Sequence, residues 1–119
     1  MIDASLIDRL AEAKVLVVGD VLLDRFVEGR VTRISREAPV PVLKLDRARA
    51  HLGGAGNVAA NVLATGGAVT LVGLIGSDAA GAELIELCRG FDRLTAELIR
   101  EAGRQTTVKT RYLSGWQQL

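Results

Sequence analysis

The sequence predicts an α/β fold, because two aliphatic segments with the character of buried strands flank a glycine-rich turn and a helix of small residues. The two segments occupy residues 14–19 and 68–75 and consist mainly of Val, Leu, Ile and Gly. Continuous aliphatic segments are typical of strands that are covered on both faces of a parallel sheet. A strand, a helix and a second strand in this order predict a right-handed crossover unit.

Length and composition indicate one globular domain with a hydrophobic core. The chain has 119 residues, of which 49% are hydrophobic, and its 15 basic and 14 acidic residues leave a formal net charge of +1. No basic run is interleaved with aromatic residues, so we expect no nucleic-acid partner. Cys88 is the single cysteine, which predicts a buried, unreactive thiol and a reducing, cytoplasmic location.

One long uncharged segment has the length of a membrane span. Residues 50–77 contain no Asp, Glu, Lys or Arg. Glycines, two asparagines and His51 interrupt the segment, so a buried α/β unit is the better interpretation. Residues 1–14 lack the basic region and apolar core of a signal peptide. We therefore expect no membrane association.

The first half of the chain predicts a helix, a strand and a separate flap. A short amphipathic helix over residues 5–13, with Ser5 as its N-cap, precedes the strand over residues 14–19. Residues 26–31 and 40–45 predict two strands of a small antiparallel flap outside the main sheet.

The second half predicts a further alternation of helices and strands. The first three are a helix over 55–65 closed by Gly66, a strand over 68–75, and a helix that is capped by Ser77 or Asp78 and ends at Arg89. A helix over 94–102, which ends at Gly103, and a strand over 106–113 follow. The main sheet is thus expected to have three parallel strands. Because such a sheet normally needs more elements to cover its edges and faces, we expect that the chain is interrupted at Leu119.

A glycine cluster before the second helix is the first candidate site. Residues 53–57 are Gly-Gly-Ala-Gly-Asn, and glycines with a helix start admit a ligand close to free N–H groups. The spacing matches neither a phosphate loop nor a dinucleotide fingerprint. Tight packing before a helix is the simpler alternative. Asn57 and Asn61, four residues apart and on one helix face, favour sugar hydroxyls instead.

Acidic residues follow the first strand, at the end where ligands bind in open α/β sheets. Asp20 is equally well explained as a turn or cap residue. Asp24 is the stronger candidate for a ligand contact, because a carboxylate accepts hydrogen bonds from two neighbouring hydroxyls at once.

Three segments occur in an informative order: residues 17–24, the glycine cluster with its helix start at 53–59, and Gly-Leu-Ile-Gly-Ser-Asp-Ala-Ala-Gly at 73–81. Together they resemble the amino-terminal landmarks of the ribokinase-like, or PfkB, carbohydrate kinases. The resemblance covers nearly all of residues 14–119. It implies the amino-terminal part of a three-layer α/β/α fold, with a small β flap over about residues 25–46.

Within that family, residues 33–42 and 107–111 are similar to the heptose branch, as is the end of the chain at 117–119. Arg36 departs from the branch, which usually has proline there. The resemblance implies ATP-dependent phosphorylation of D-glycero-β-D-manno-heptose 7-phosphate at its anomeric hydroxyl, on the route to ADP-heptose and lipopolysaccharide core. The alternatives are a kinase for another sugar or a nucleoside, and a non-catalytic sugar-binding or dimerisation module.

The resemblance also implies roles for individual residues. The sugar is expected to be held by Asp24, Gly53, Gly54 and Asn57. The candidates for the substrate phosphate, which favours guanidinium and ammonium donors, are Arg33, Lys109 and Arg111. A solvated surface is the alternative explanation for these cations. The flap is expected to close over the sugar and to pair with a second subunit in a homodimer, with His51 as a flap or turn residue.

The family's catalytic base belongs to a later Gly-Ala-Gly-Asp segment. Residues 54–57 are Gly-Ala-Gly-Asn, and an amide cannot accept the proton of the acceptor hydroxyl. The resemblance therefore implies no catalytic, cofactor-binding or metal-binding residue here, and it implies that ATP and Mg²⁺ bind elsewhere in the complete kinase. We expect the chain alone to be inactive.

Overall fold

The computed structural model describes residues 3–119. The helices are α1 (Ala4–Asp8), which continues as a 3-10 turn over Arg9–Glu12, α2 (Ala55–Ala64) and α3 (Ala79–Arg89). The strands are β1 (Lys14–Val18), β2 (Val21–Ile34), β3 (Pro41–Gly54), β4 (Ala68–Gly76), β5 (Leu94–Glu101), β6 (Val108–Ser114) and β7 (Gln117–Gln118).

The strands form two sheets, and the predicted α/β class is confirmed. The main sheet has the order β1-β4-β5, and both of its strand pairs are parallel. The second sheet has the order β3-β2-β6-β7, in which β2 is antiparallel to β3 and parallel to β6. We call this four-stranded sheet the hairpin sheet, because the β2–β3 hairpin is its largest part.

The hydrophobic core lies between the main sheet, the helices α2 and α3, and the base of the hairpin, which contributes Val21, Leu23 and Leu52. Leu71 and Ile75 on β4 are fully buried, as are Ala59 on α2 and Leu84 on α3. Cys88 lies in the same cluster, where burial raises the pKa of its thiol. The prediction of a buried thiol is confirmed.

The opposite face of the main sheet is open among residues 3–119. Leu16 and Val18 on β1 are 65% and 67% exposed, and strand alternation and register put Leu74 and Ile99 on the same face. The prediction that β1 is covered on both faces is therefore wrong for this chain. An aliphatic segment shows that a strand can be buried on both sides, but here the helices supply only one cover.

Residues 94–102 were expected to be helical and instead form β5 in parallel register with β4, from Val69↔Leu94 to Gly76↔Glu101. Pairing with β4 outweighs the helix propensity of this segment, which is rich in Leu, Ala, Glu and Arg. The strand expected over 106–113 does form as β6, but it pairs with β2 in the hairpin sheet. The third parallel strand of the main sheet is thus β5.

The helix ends follow local capping chemistry. The predicted N-cap Ser5 is wrong, because the Asp3 carboxylate accepts the N–H of Leu6 at 3.2 Å and caps α1. The prediction of Asp78 as a cap of α3 is confirmed, since its Oδ1 accepts from the N–H of Gly81 at 2.9 Å. In the part of the chain that the structure describes, no helix has the length and apolar character to cross a membrane.

The predicted antiparallel flap exists and is longer than expected. Its two strands each have 14 residues and pair from Val21↔Gly54 at the base to Ile34↔Pro41 at the far end. Two register shifts interrupt the ladder, after Glu28 and after Val31. The base of the hairpin therefore coincides with the glycine cluster that begins α2.

Candidate functional site

The glycine cluster joins the hairpin to α2 through a tight backbone junction. Gly54 has φ +59°, a left-handed conformation, and a Cβ there would collide with the carbonyl oxygen of Asp20. The N–H of Ala55 donates to that same carbonyl at 2.8 Å. The backbone conformation thus requires a glycine at position 54. Asp20 contributes its carbonyl group to the junction.

Gly53 has a different reason to lack a side chain. It pairs with Leu22, and a Cβ at this position would overlap Cδ1 of Leu22 and would lie 2.8 Å from Oδ2 of Asp24. The glycine therefore leaves space for the side chains of Leu22 and Asp24 at the base of the hairpin. Asp24 is half-buried, and its carboxylate is one of two acidic groups on this face of β2.

The register of the hairpin sheet collects charged residues on the face that carries Asp24. Residues two apart on a strand share a face, so Asp24 and Phe26 point the same way as their neighbours on β3 and β6. His51 and Lys109 lie beside Asp24, and Arg49 and Arg111 lie beside Phe26. We call this surface the hairpin face. It brings together three residues predicted for the site, Asp24, Lys109 and Arg111.

The aromatic ring of Phe26 organises the middle of the hairpin face. The guanidinium carbons of Arg49 and Arg111 lie 5.8 and 5.6 Å from the ring centroid, within the range of cation–π attraction. The His51 ring meets Phe26 edge-on, with centroids 5.7 Å apart. Phe26 thus holds basic groups from both neighbouring strands close to one point.

The hairpin face has more positive than negative charge. Glu28 accepts from Nε of Arg47 at 2.5 Å and from a terminal nitrogen of Arg49 at 2.7 Å. The Arg47 hydrogen bond is the main reason that the pKa of Glu28 is lowered. Within residues 3–119, neither Lys109 nor Arg111 forms an ion pair. Two uncompensated cations beside a carboxylate suit a ligand that carries both hydroxyls and an anionic group.

Asn57 lies in the first turn of α2 and is exposed. It lines a cavity of about 230 Å³ between β3, α2 and α3, together with His51 and Phe91. His51 is the register neighbour of Asp24, which does not itself line this cavity. Asn61, one helical turn further on, is exposed and is not among the residues that line this cavity.

Arg33 is separated from the other predicted phosphate-binding residues. It lies opposite Val42 near the far end of the hairpin and is exposed. Seven residues of extended chain separate it from Phe26, which is roughly 20 Å. Within one chain the structure does not bring Arg33 together with Lys109 and Arg111.

Sequence reasoning did not single out Arg49, Phe26 and Glu28, which the structure places on the hairpin face. The signal was present in residues 47–51, Arg-Ala-Arg-Ala-His, where basic and small residues alternate with the period of a strand. The predicted second flap strand ended at residue 45, so the alternation was not assigned to a sheet face.

The hairpin sheet is tied to the main sheet by a junction around Thr106, which is 7% exposed. Asp78 accepts from the Thr106 N–H at 2.9 Å and from its hydroxyl at 2.6 Å, and the Thr106 hydroxyl accepts the Gly76 N–H at 2.8 Å. The hydrogen bond from the Thr106 hydroxyl is the main cause of the lowered pKa of Asp78. The junction fixes the start of β6, which carries Lys109 and Arg111.

The donor groups present do not fit a metal ion. In the described range, 3–119, no group of three or more His, Cys, Asp or Glu side chains is close enough to hold one. Asp24 stands beside cations, an arrangement that favours an anionic ligand over a metal. We therefore assign no chemical step to a metal at the hairpin face.

Comparison with known proteins shows that one family matches almost the whole chain. The family described as pfkB family carbohydrate kinase matches residues 12–118. The chain is 56% identical over 107 residues to the bifunctional protein HldE of Caulobacter sp. strain K31, covering 90% of this chain and 22% of that protein. It is 48% identical over 112 residues to the D-beta-D-heptose 7-phosphate kinase of Bordetella bronchiseptica, covering 94% of this chain and 36% of that protein.

Solved structures share the fold. The phosphofructokinase-2 of Escherichia coli in complex with substrates and products superposes with a TM-score of 0.71 at 19% identity, covering 90% of this chain and 34% of that chain. The microbiome-derived acarbose kinase Mak1 gives a TM-score of 0.69 at 25% identity, with 90% and 35% covered. The chain therefore has a partial ribokinase-like fold and spans about a third of these structures.

Proposed function

The chain belongs to the pfkB family of carbohydrate kinases, and on that basis we propose that it forms the sugar-binding part of a kinase for D-glycero-β-D-manno-heptose 7-phosphate. The observation that carries this proposal is the hairpin face, where Lys109 lies beside the Asp24 carboxylate and Arg111 lies two residues further along β6. Neither cation forms an ion pair within residues 3–119. Two relatives are named HldE and D-beta-D-heptose 7-phosphate kinase, which supports heptose 7-phosphate over another sugar or a nucleoside.

Asp24 is proposed to bind the sugar ring. Its carboxylate accepts hydrogen bonds from two neighbouring hydroxyls, and Gly53 leaves the space that this carboxylate occupies beside Leu22. Gly54 contributes through the backbone junction that places the start of α2 beside the hairpin. Asn57 contributes an amide from the cavity that His51 also lines.

Lys109 and Arg111 are proposed to bind the substrate phosphate. A phosphate dianion accepts charge-assisted hydrogen bonds from both groups, and a guanidinium binds it in bidentate geometry. The junction at Asp78 and Thr106 keeps β6 in register with β2, so both cations stay at a fixed distance from Asp24.

Arg33 and the proposed homodimer belong together. Because Arg33 lies at the far end of the hairpin, it can reach this phosphate only from the hairpin of a second copy. The proposed partner is therefore another copy of the same protein, paired through the hairpin sheet.

The complete kinase is proposed to transfer the γ-phosphate of ATP to the anomeric hydroxyl, forming the 1,7-bisphosphate, a precursor of ADP-heptose and of the lipopolysaccharide core, in the cytoplasm. Membership of the family implies the use of ATP. We propose that the nucleotide and Mg²⁺ bind to parts of the complete protein that this chain does not match, since it spans only 22% to 36% of the relatives named above. The chain alone is then expected to show no turnover.

The proposal is tested by comparing heptose 7-phosphate with unphosphorylated heptose in calorimetric titrations of the chain. Charge-assisted hydrogen bonds to the phosphate predict binding of heptose 7-phosphate that is tighter by about tenfold or more. The preference should fall when Lys109 or Arg111 is replaced by Ala. Equal affinities for the two sugars would contradict the proposal.

A further inference from the structure

We propose that Arg49 is a second arginine of the phosphate site, paired with Arg111 across the ring of Phe26. This inference rests on the proposed function, because it concerns the same sugar phosphate. It adds a specificity-determining residue on β3, a strand that the predicted phosphate contacts do not include.

The geometry places both guanidinium groups over one ring. Arg49 on β3 and Arg111 on β6 are the register neighbours of Phe26 on either side of β2. Their guanidinium carbons lie at nearly equal distances from the ring centroid, 5.8 and 5.6 Å. A phosphate located above Phe26 can therefore accept hydrogen bonds from two directions.

Glu28 positions Arg49 without using all its donors. One terminal nitrogen of Arg49 donates to Oε1 of Glu28 at 2.7 Å. A guanidinium has about five N–H donors, so several remain for an anion. Arg47 binds the same carboxylate through its Nε and lies two residues further from Asp24 along the hairpin. Arg47 is thus close in charge and setting to Arg49, but it does not share the Phe26 ring.

The register also gives the bound ligand a direction. Asp24 and Phe26 are two residues apart on β2, about 6.6 Å along the strand. Hydroxyls at Asp24 and a phosphate above Phe26 require a sugar monophosphate whose phosphate points towards the far end of the hairpin. The sugar ring then lies nearest to Gly53 and to the start of α2.

The test is a calorimetric titration of the wild-type chain, Arg49→Ala and Arg47→Ala with heptose 7-phosphate, fructose 6-phosphate and the two unphosphorylated sugars. Arg49→Ala should weaken binding of the preferred sugar phosphate about 10- to 100-fold and change binding of its parent sugar less than about twofold. Arg47→Ala should change both less than about twofold. Arg49→Lys, which keeps the charge but loses the planar group, should give an intermediate loss.

The outcomes separate this inference from the proposed function. Equal effects of Arg47→Ala and Arg49→Ala, or no effect of Arg49→Ala on a wild-type chain that prefers heptose 7-phosphate, would overturn the role of Arg49 and leave the function standing. Selective loss of fructose 6-phosphate binding in Arg49→Ala, with no binding of heptose 7-phosphate, would support Arg49 and overturn the substrate. Failure of the wild-type chain to prefer either phosphate would overturn both.

Discussion

The covered face of the main sheet and the hairpin face differ in what their side chains do. The main sheet buries one aliphatic face under α2 and α3, and its residues serve the core. The hairpin sheet presents charged residues on the hairpin face, where burial does not determine their arrangement. The difference separates two kinds of substitution: changes in the main sheet should cost stability, and changes on the hairpin face should cost binding.

The largest expected effect is on the covered face of the main sheet. Leu71 is 0% exposed and Leu74, three residues later on the same strand, is 44% exposed. Leu71→Ala should lower the free energy of unfolding by about 2–5 kcal/mol, because it removes transfer energy and leaves a cavity. Leu74→Ala should change it by about 0.5 kcal/mol. Urea denaturation measures both, and equal losses would mean that the open face is covered in solution.

The base of the hairpin should be sensitive to the backbone. Gly54→Ala forces a side chain into a left-handed conformation and into the Asp20 carbonyl, so the loss should be about 2–4 kcal/mol. Gly103 is the matched control, since it has φ +77° but nothing lies within 4 Å of a Cβ there. Gly103→Ala should cost about 1 kcal/mol in the same denaturation experiment. Equal losses would show that only the conformation matters at Gly54.

The junction between the sheets should respond to Thr106→Val. The substitution removes the hydroxyl that donates to Asp78 and accepts from Gly76, so the expected loss is about 1–3 kcal/mol. Thr107→Val is a control on the adjacent exposed residue and should have little effect. Thermal unfolding measures both variants, and a neutral Thr106→Val would mean that the two sheets are held by other contacts.

Acidification tests the same junction. The folded pKa of Asp78 lies below its ordinary value, mainly because the Thr106 hydroxyl donates to the charged carboxylate. Asp78 therefore contributes stability above the unfolded pKa, near 4, and this contribution is lost as the pH falls through the lower folded pKa. Asp78→Asn should lower the melting temperature at pH 7 and make it depend less on pH below 4. An unchanged pH profile in the variant would contradict this assignment.

The smallest expected effect concerns the ion pair between the hairpin and α3. Arg25 and Glu83 lie 2.6 Å apart, but their side chains are 35% and 41% exposed. Solvent screening limits such a pair to about 0–1 kcal/mol. A double-mutant cycle with Arg25→Ala and Glu83→Ala measures the coupling. A coupling well above that range would mean that the hairpin is held by charge rather than by the Thr106 junction.

The parts of the fold that the sequence predicted are those in which local chemistry and tertiary structure agree. The strands β1 and β4, the closing glycine at Gly66 and the cap at Asp78 all depend on nearby residues. Residues 94–101 were predicted wrongly because their partner, β4, lies about 25 residues earlier in the chain. The open face around Leu16 could not be predicted, because an aliphatic strand does not reveal how many layers cover it.

Some residues of the candidate site could also be predicted from the sequence, and others could not. Asp24 was found from its position after the first strand and from the family resemblance, Lys109 and Arg111 were found from that resemblance, and the register places all three on one face. Arg49 and Phe26 required the pairing of β2 with β3, which the short predicted flap did not provide. Arg33 was grouped with the other cations by charge, and its distance became clear only from the length of the hairpin.

The most direct test of the central claim is an NMR titration of the ¹⁵N-labelled chain with heptose 7-phosphate. We expect the amide signals of Asp24, Lys109 and Arg111 to shift together and saturate, while those of Leu16 and Leu74 on the open face stay unchanged. Shifts confined to the open face of the main sheet, with the hairpin signals unmoved, would contradict it.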